Sequence, residues 1–279
     1  MPWISRGLRN GIVTSTYPRK SDGYGPNFRG TVEANRSRAA IEIKAVIEAC
    51  PTRAVSARDG TLALDRGKCI LCGRCVEMAP EVFAFSPSFA VSARHRRSLV
   101  VPPTEEDDGS LTILREELAH RVKRLRRSVH VRHVDAGSDG SDEWEIAALT
   151  NPIYDVQRLG IFFTASPRHA DLLLVTGVGS LGMIRPLQHT LEVIPRPSVV
   201  IAAGVDAISG GMLEESYASS GGVGSLVGVD VFVPGSPATP FGLLHGILMA
   251  IDLLPLSTSD SDDGPGVSQG TRRGRHSNE

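Results

Sequence analysis

The sequence has no apolar run of the roughly 18 residues needed to cross a bilayer as a helix, so no transmembrane segment is expected in it. It has no excess of one charge: 30 Lys and Arg stand against 31 Asp and Glu, a net charge of -1. A nucleic-acid binder would ordinarily carry a basic surplus, so none is expected as a partner. The opening stretch MPWISRGLRNG has no apolar core of signal-peptide type, and a cytoplasmic protein is expected. There is no Walker lysine followed by Ser or Thr, no G-x-S-x-G and no H-E-x-x-H. Tyr154 and the eight histidines form no nucleophile–base pattern. Cysteine is scarce and confined: Cys50, Cys69, Cys72 and Cys75 are all there is. In a cytosolic chain such a cluster is seldom a disulfide framework.

Apolar residues make up 41% of the chain and charged residues 22%, enough for a buried core. Residues 1–30 are rich in Gly, Pro, Arg and Ser without periodicity and read as an extended arm. Residues 31–85 hold the cysteines. Residues 86–127 read as a linker followed by an amphipathic helix, in which Leu111, Leu114, Leu118, Val122 and Leu125 recur at helical spacing. From 128 to 255 short β-rich runs alternate with helical stretches. Runs such as LLLV and VVIA suit strands buried on both faces, the pattern of a doubly wound, mostly parallel α/β sheet. Residues 256–279 are nearly devoid of large apolar side chains and read as a disordered tail.

Cys69-Ile70-Leu71-Cys72-Gly73-Arg74-Cys75 is a C-x-x-C-x-x-C run, and Cys50-Pro51 stands upstream. Three thiolates on one tight loop suit three corners of an iron–sulfur cubane, with the fourth supplied by a remote Cys before Pro. Four-cysteine zinc sites usually pair two C-x-x-C units instead; zinc and buried free thiols are the competing readings. Residues 31–85 resemble a bacterial two-cluster ferredoxin domain, in which the fourth Cys of each motif ligates the other motif's cluster. That resemblance implies one [4Fe-4S] cluster on Cys50, Cys69, Cys72 and Cys75. The second cluster would need Cys at Ala40, Ile43, Val46 and Ala79, and all four are apolar.

The second half resembles the small subunit of [NiFe] hydrogenases, the related formate hydrogenlyase subunits and the corresponding quinone-site subunit of complex I. The strings that carry the likeness are SVHVRHVDAGS, EWEIAALTNPIYDVQRLGIFFTASPRHADLLLVTG, VVIAAG, ISGG and VDVFVPGSPATPFGLLHGIL, in order. The resemblance implies a [4Fe-4S] cluster at the strand ends. At the ligand positions this chain has Asp139, Asp142, Asp206 and Ser236, a set without a single thiolate. Such a set should not hold the cluster. It stands as a vestige, a hard-cation site or a place for protons.

The resemblance further implies a hydrogenase-like or complex I-like large subunit and an integral membrane subunit as partners, and a peripheral position on the cytoplasmic face of the membrane. Glu143, Trp144, Ile146 and Phe241 lie beside the emptied positions and are the expected interface residues; Arg158, Arg168 and His169 read as solvated surface. The expected function is an iron–sulfur electron-transfer and scaffold subunit of such an oxidoreductase, itself non-catalytic. The alternative is a non-redox structural or ion-coupling subunit whose cluster only holds its domain together. A formal G-x-G-x-x-G at Gly177, Gly179 and Gly182 offers dinucleotide binding as a weaker reading.

Overall fold

The computed structural model describes residues 2–20, 22–34, 43–58, 61–102, 116, 120, 128–214 and 216–254. The amphipathic helix expected at 111–127, apart from Glu116 and His120, and the tail expected at 256–279 lie outside the described residues, as does Ala40.

The second half is built on a five-stranded sheet. Its strands are β6 (Val129–Asp135), β7 (Ile161–Phe163), β8 (Leu172–Thr176), β9 (Val199–Ala203) and β10 (Val231–Val233). Every pairing is parallel and the order is β10-β9-β8-β6-β7. All residues of β8 and β9 are buried, as continuous apolar runs require when helices cover both faces. The chain reverses its direction of travel across the sheet beside β6. In open α/β sheets that reversal places a crevice at the carboxyl ends of the strands. Helices α4 (Ser141–Ala148), α5 (Ile184–Val193), α6 (Gly204–Ser209) and α7 (Pro240–Ala250) follow β6, β8, β9 and β10. The mixed α/β fold with a parallel sheet is therefore present as expected.

Helix α7 is apolar almost all round, and nine of its residues are buried. It packs with Leu172, Leu174 and Ile201 in one core, while Leu173, Val175, Val200 and Leu187 fill the other face of the sheet. Each fully buried aliphatic side chain there contributes about 1.5–3 kcal/mol.

The cysteine-bearing region uses short elements: β1 (Thr31–Ala34), α2 (Ile43–Ala49), β2 (Val55–Arg58), β3 (Thr61–Asp65), α3 (Arg74–Met78), β4 (Phe83–Ser86) and β5 (Val100–Val101). β1 pairs with β4, and β2, β3 and β5 form an antiparallel sheet. Their small core holds Val32, Val46, Leu64, Ala79, Val82 and Phe83. Val46 and Ala79, two of the positions where a second cluster would need Cys, are thus packing residues.

Two expectations are corrected. The stretch at 86–127 is not all linker: β5 belongs to the small sheet, and Ala93 bridges to Phe232 of β10. Nor is the segment at 1–30 an extended arm throughout. Pro2–Asn10 form helix α1, with no residue of it buried. Beyond it the chain lies on the α/β core. Tyr17 is buried, its hydroxyl 2.8 Å from His245 Nδ1. Arg158, though exposed, donates to the carbonyls of Ser15 (2.6 Å) and Tyr17 (2.9 Å), so it also ties down this segment. Two tyrosines, Tyr17 and Tyr24, each with an aromatic partner, anchor the segment without any periodic pattern.

Candidate functional site: a cysteine cleft and a carboxylate group at the strand ends

The four cysteines are free thiols and line one cleft with Val32, Thr52, Ala54, Leu64 and Arg74. The loop before α3 brings them round by two left-handed residues, Leu71 (φ 55°) and Gly73 (φ 82°). Cys50 accepts a hydrogen bond from the Ala54 amide at 3.2 Å. Burial is the main cause that pushes the Cys69 thiol up to about 12, with the three other cysteines adding to it. Burial raises Cys75 as well. These thiols are therefore protonated when no metal is bound, and loading the cleft releases protons.

Among the described residues, no three His, Cys, Asp or Glu side chains are set to close on a single metal ion. A cubane makes a different demand, one thiolate for each of four irons around a cavity. Four soft donors round one part-buried cleft, lined otherwise mostly by apolar groups, fit that demand.

The emptied ligand positions of the α/β half gather at the carboxyl ends of β6, β9 and β10. Asp142 opens the inward face of α4 and is 4% exposed. Its Oδ1 accepts the Ala238 amide at 2.8 Å, just past Ser236. Room for its other oxygen comes from Gly204, which has φ +85° and whose position would put any Cβ onto that oxygen. Asp206, on α6, and Asp139 are near enough to act on it electrostatically. Burial first, then Asp206, Glu143 and Asp139, push the Asp142 carboxyl up to about 7 against the opposing pull of the Ala238 amide. Burial and the charges of Asp139 and Glu143 also raise Asp206. Asp139 is exposed, and hydrogen bonds from Ser141 hold its carboxyl below the usual range. Ser236 is exposed at the rim.

Glu143 is engaged from within the chain. Ser138 Oγ donates to its Oε2 at 2.7 Å and the Thr176 hydroxyl donates to Oε1. Having given its one proton to Glu143, Thr176 accepts from His133 Nε2 at 2.9 Å, which fixes the imidazole tautomer. Burial lowers the His133 pKa.

Asp142 carries a pH prediction. Its folded pKa lies above its unfolded value, so the folded chain keeps a proton that the unfolded chain has lost. The stabilisation is complete below about pH 4 and is lost as pH rises through about 7. Asp142→Asn should remove this dependence. Above about pH 7 the variant should be the more stable, by up to about 4 kcal/mol for three pK units. Denaturant titrations of both chains at several pH values read it out; parallel stability profiles would contradict it.

The expected interface residues divide. Trp144 is 79% exposed. Ile146 and Phe241 are not surface residues, and this corrects the expectation. Ile146 shares the inward face of α4 with Asp142 and Leu149, at helical spacing. Phe241 is enclosed by Tyr17, Tyr24, Phe89 and Tyr154, all within 4.9–6.0 Å of its ring. Exposed apolar residues that sequence reasoning missed stand at the same sheet end. They are Leu181 after β8, and Met212, Leu213 and Tyr217 beyond α6, at 53–95% exposure. Their exposure has little signal in sequence, since Met and Leu usually go inside.

The glycine-rich loop after β8 has a structural reason. A Cβ at Gly177 (φ +81°) would lie 2.6 Å from the Gly137 backbone. This glycine lets two strand-end loops touch, which accounts for it without a dinucleotide.

Comparison with known proteins adds to this geometry. The family model described as "NADH ubiquinone oxidoreductase, 20 Kd subunit" matches residues 140–250. That described as "4Fe-4S single cluster domain of Ferredoxin I" matches residues 64–109, a span with Cys69, Cys72 and Cys75 but not Cys50. The chain is 37% identical over 161 residues to formate hydrogenlyase subunit 7 of Escherichia coli, covering 58% of this chain and 61% of that protein. It is 38% identical over 141 residues to a Pyrococcus furiosus protein named as a probable membrane-bound hydrogenase subunit, covering 50% of this chain and 84% of that protein. Among solved structures, a chain of the membrane-bound sulfane sulfur reductase, an archaeal respiratory membrane complex, aligns with a TM-score of 0.42 at 27% identity, over 48% of this chain and 73% of that one.

Proposed function

Because this chain belongs to the family of the NADH ubiquinone oxidoreductase 20 Kd subunit and carries a ferredoxin-type domain as well, we propose that it is the iron–sulfur and docking subunit of a membrane-associated oxidoreductase complex related to hydrogenases and complex I. The observation that carries the reading is the single cleft lined by all four cysteines, set against a strand-end group with no thiolate. A [4Fe-4S] cluster held by Cys50, Cys69, Cys72 and Cys75 would supply one-electron transfer. The apolar lining of the cleft limits water around it, and the Ala54 amide supports the Cys50 sulfur. The Asp139–Asp142–Asp206 group holds protons or hydrogen bonds at the place where relatives of this type would carry electrons. A second reading, an ion-coupling subunit with a purely structural cluster, is favoured by the buried Asp142 alone.

Among the described residues no helix is long and apolar enough to cross a membrane. Attachment would therefore run through surfaces. Helix α1 offers one, with Trp3, Ile4 and Leu8 on one side and Arg6 and Arg9 on the other, the arrangement of an interfacial helix. The strand-end group of Trp144, Leu181, Met212, Leu213 and Tyr217 offers the other, because exposed apolar patches mark partner sites. Its proposed partner is a hydrogenase-like large subunit.

The test is co-expression with the large subunit encoded in the same genome. Trp144→Asp should weaken association by about 2 kcal/mol or more, roughly 30-fold in Kd. Equal co-purification of parent and variant would remove the strand-end surface from the interface.

A further inference from the structure

Arg66 lies just past the end of β3, three residues before Cys69. It lines a second, smaller cavity with Cys69, Leu71, Val91, Pro234 and Gly235. It is half-buried, and its Nε is shielded from solvent with no hydrogen-bond partner. The neighbouring Asp65 does not serve it: both of that carboxylate's oxygens are taken by Arg96, at 2.8 Å each. Glu33, the carboxylate that acts on Arg66, is exposed. Removing a guanidinium from water is costly unless a negative group faces it. Here burial pulls the Arg66 pKa down while Glu33 and Cys69 push it up. Arg74, which also borders the cysteine cleft, is exposed, so solvent screens its charge.

Resting on the iron–sulfur reading, we infer that Arg66 is the charge-compensating residue of the cysteine cleft, lying between Cys69 and the Pro234–Gly235 turn and raising the reduction potential of the cluster. A cluster on four thiolates is anionic and becomes more so when it takes up one electron. A fixed cation in a poorly solvated place favours the reduced form more than the oxidised one. Arg66 also accounts for the asymmetry of the cleft. Its cation stands on the side of the α/β half, toward the emptied third ligand motif, while Cys72 is exposed to solvent.

The experiment uses the full chain purified without oxygen. Arg66→Met keeps most of the apolar stem and removes the charge; Arg66→Lys keeps the charge. Iron content is counted, and the midpoint potential is read by EPR during a dithionite titration. Arg66→Met should move the reduction equilibrium at least tenfold toward the oxidised form, about 59 mV for one electron. Arg66→Lys should restore most of the shift, and Arg168→Gln, an exposed change in the α/β half, should leave the potential near that of the parent. Loss of iron from the Met variant with retention in the Lys variant would equally support a charge role. Full iron with an unmoved potential in Arg66→Met would overturn the inference, as would equal shifts or equal iron loss in Met and Lys variants. A parent chain without iron would overturn the iron–sulfur reading itself, a result visible before any variant is made.

Discussion

Cys72→Ser should take away most of the bound iron and loosen the ferredoxin-type region while leaving the α/β half folded. The two halves have unequal means. The α/β half has a core on each face of its sheet, with Leu172, Leu174, Ile201 and Leu244 fully buried on one side and Leu173, Val175 and Leu187 on the other. Among the described residues, the cysteine region has nine buried apolar residues in its core, and Cys50, Cys69 and Cys75 pack against them. A region of that size does not fold securely on its apolar burial alone and needs a staple. Ser offers a harder, far less acidic donor than thiolate, which is a poor exchange at iron. Limited proteolysis after anaerobic purification should cut the variant within residues 31–85 well before it cuts β6 to α7. Simultaneous loss of both halves would contradict the separation. Residues 89–99 lie on the α/β half, where Phe89 stacks on Phe241, Ala93 bridges to Phe232, and Ala93 and Leu99 join its core, whereas the Arg53–Glu214 ion pair that reaches it from residues 31–85 is exposed. An exposed ion pair is too weak to hold residues 31–85 in shape once their staple is gone.

A large stability effect of a single methyl group is expected at Gly204. Its φ of +85° already disfavours an L side chain, and the added Cβ would collide with the buried Asp142 carboxylate. The backbone strain costs about 1–3 kcal/mol, and displacing a buried hydrogen-bonded carboxylate adds to it. Gly204→Ala should therefore destabilise the chain by about 3 kcal/mol or more in urea titrations. Gly182→Ala is the matched control, with open space around its Cα and an ordinary φ; it should be neutral or slightly stabilising. Shortening Asp142 to Ala in the Gly204→Ala background should recover the part of the loss due to the collision, as coupled neighbours do. Equal effects at Gly182 and Gly204 would show that the Asp142 pocket is not shaped by this glycine.

Different parts of this structure were legible in the sequence to different degrees, for physical reasons. The buried strands β8 and β9 were plain, since parallel strands covered on both faces leave only unbroken apolar runs such as LLLV and VVIA. The cysteine spacing pointed to one complete and one empty ligand set. Val46 and Ala79 now show what fills part of the empty one, namely apolar packing. The strand-end positions Asp139, Asp142 and Asp206 do come together, because parallel topology brings the loops after β6 and β9 to one edge. The division of neighbours into inside and outside was less legible. Ile146 lies four residues after the inward-facing Asp142, so helical spacing alone would have placed it in the core. Phe241 had no such signal: it is covered by Tyr17 and Tyr24, some two hundred residues away, from a segment with no periodicity to announce its docking. Arg66 was equally hidden, since its role depends on Arg96 having taken the adjacent carboxylate.

Counting iron and acid-labile sulfide in the anaerobically purified full chain tests the central claim most directly. One cubane on Cys50, Cys69, Cys72 and Cys75, and none at Asp139, Asp142, Asp206 and Ser236, predicts about four of each per chain. A count near eight, or a single zinc in place of iron, would contradict it.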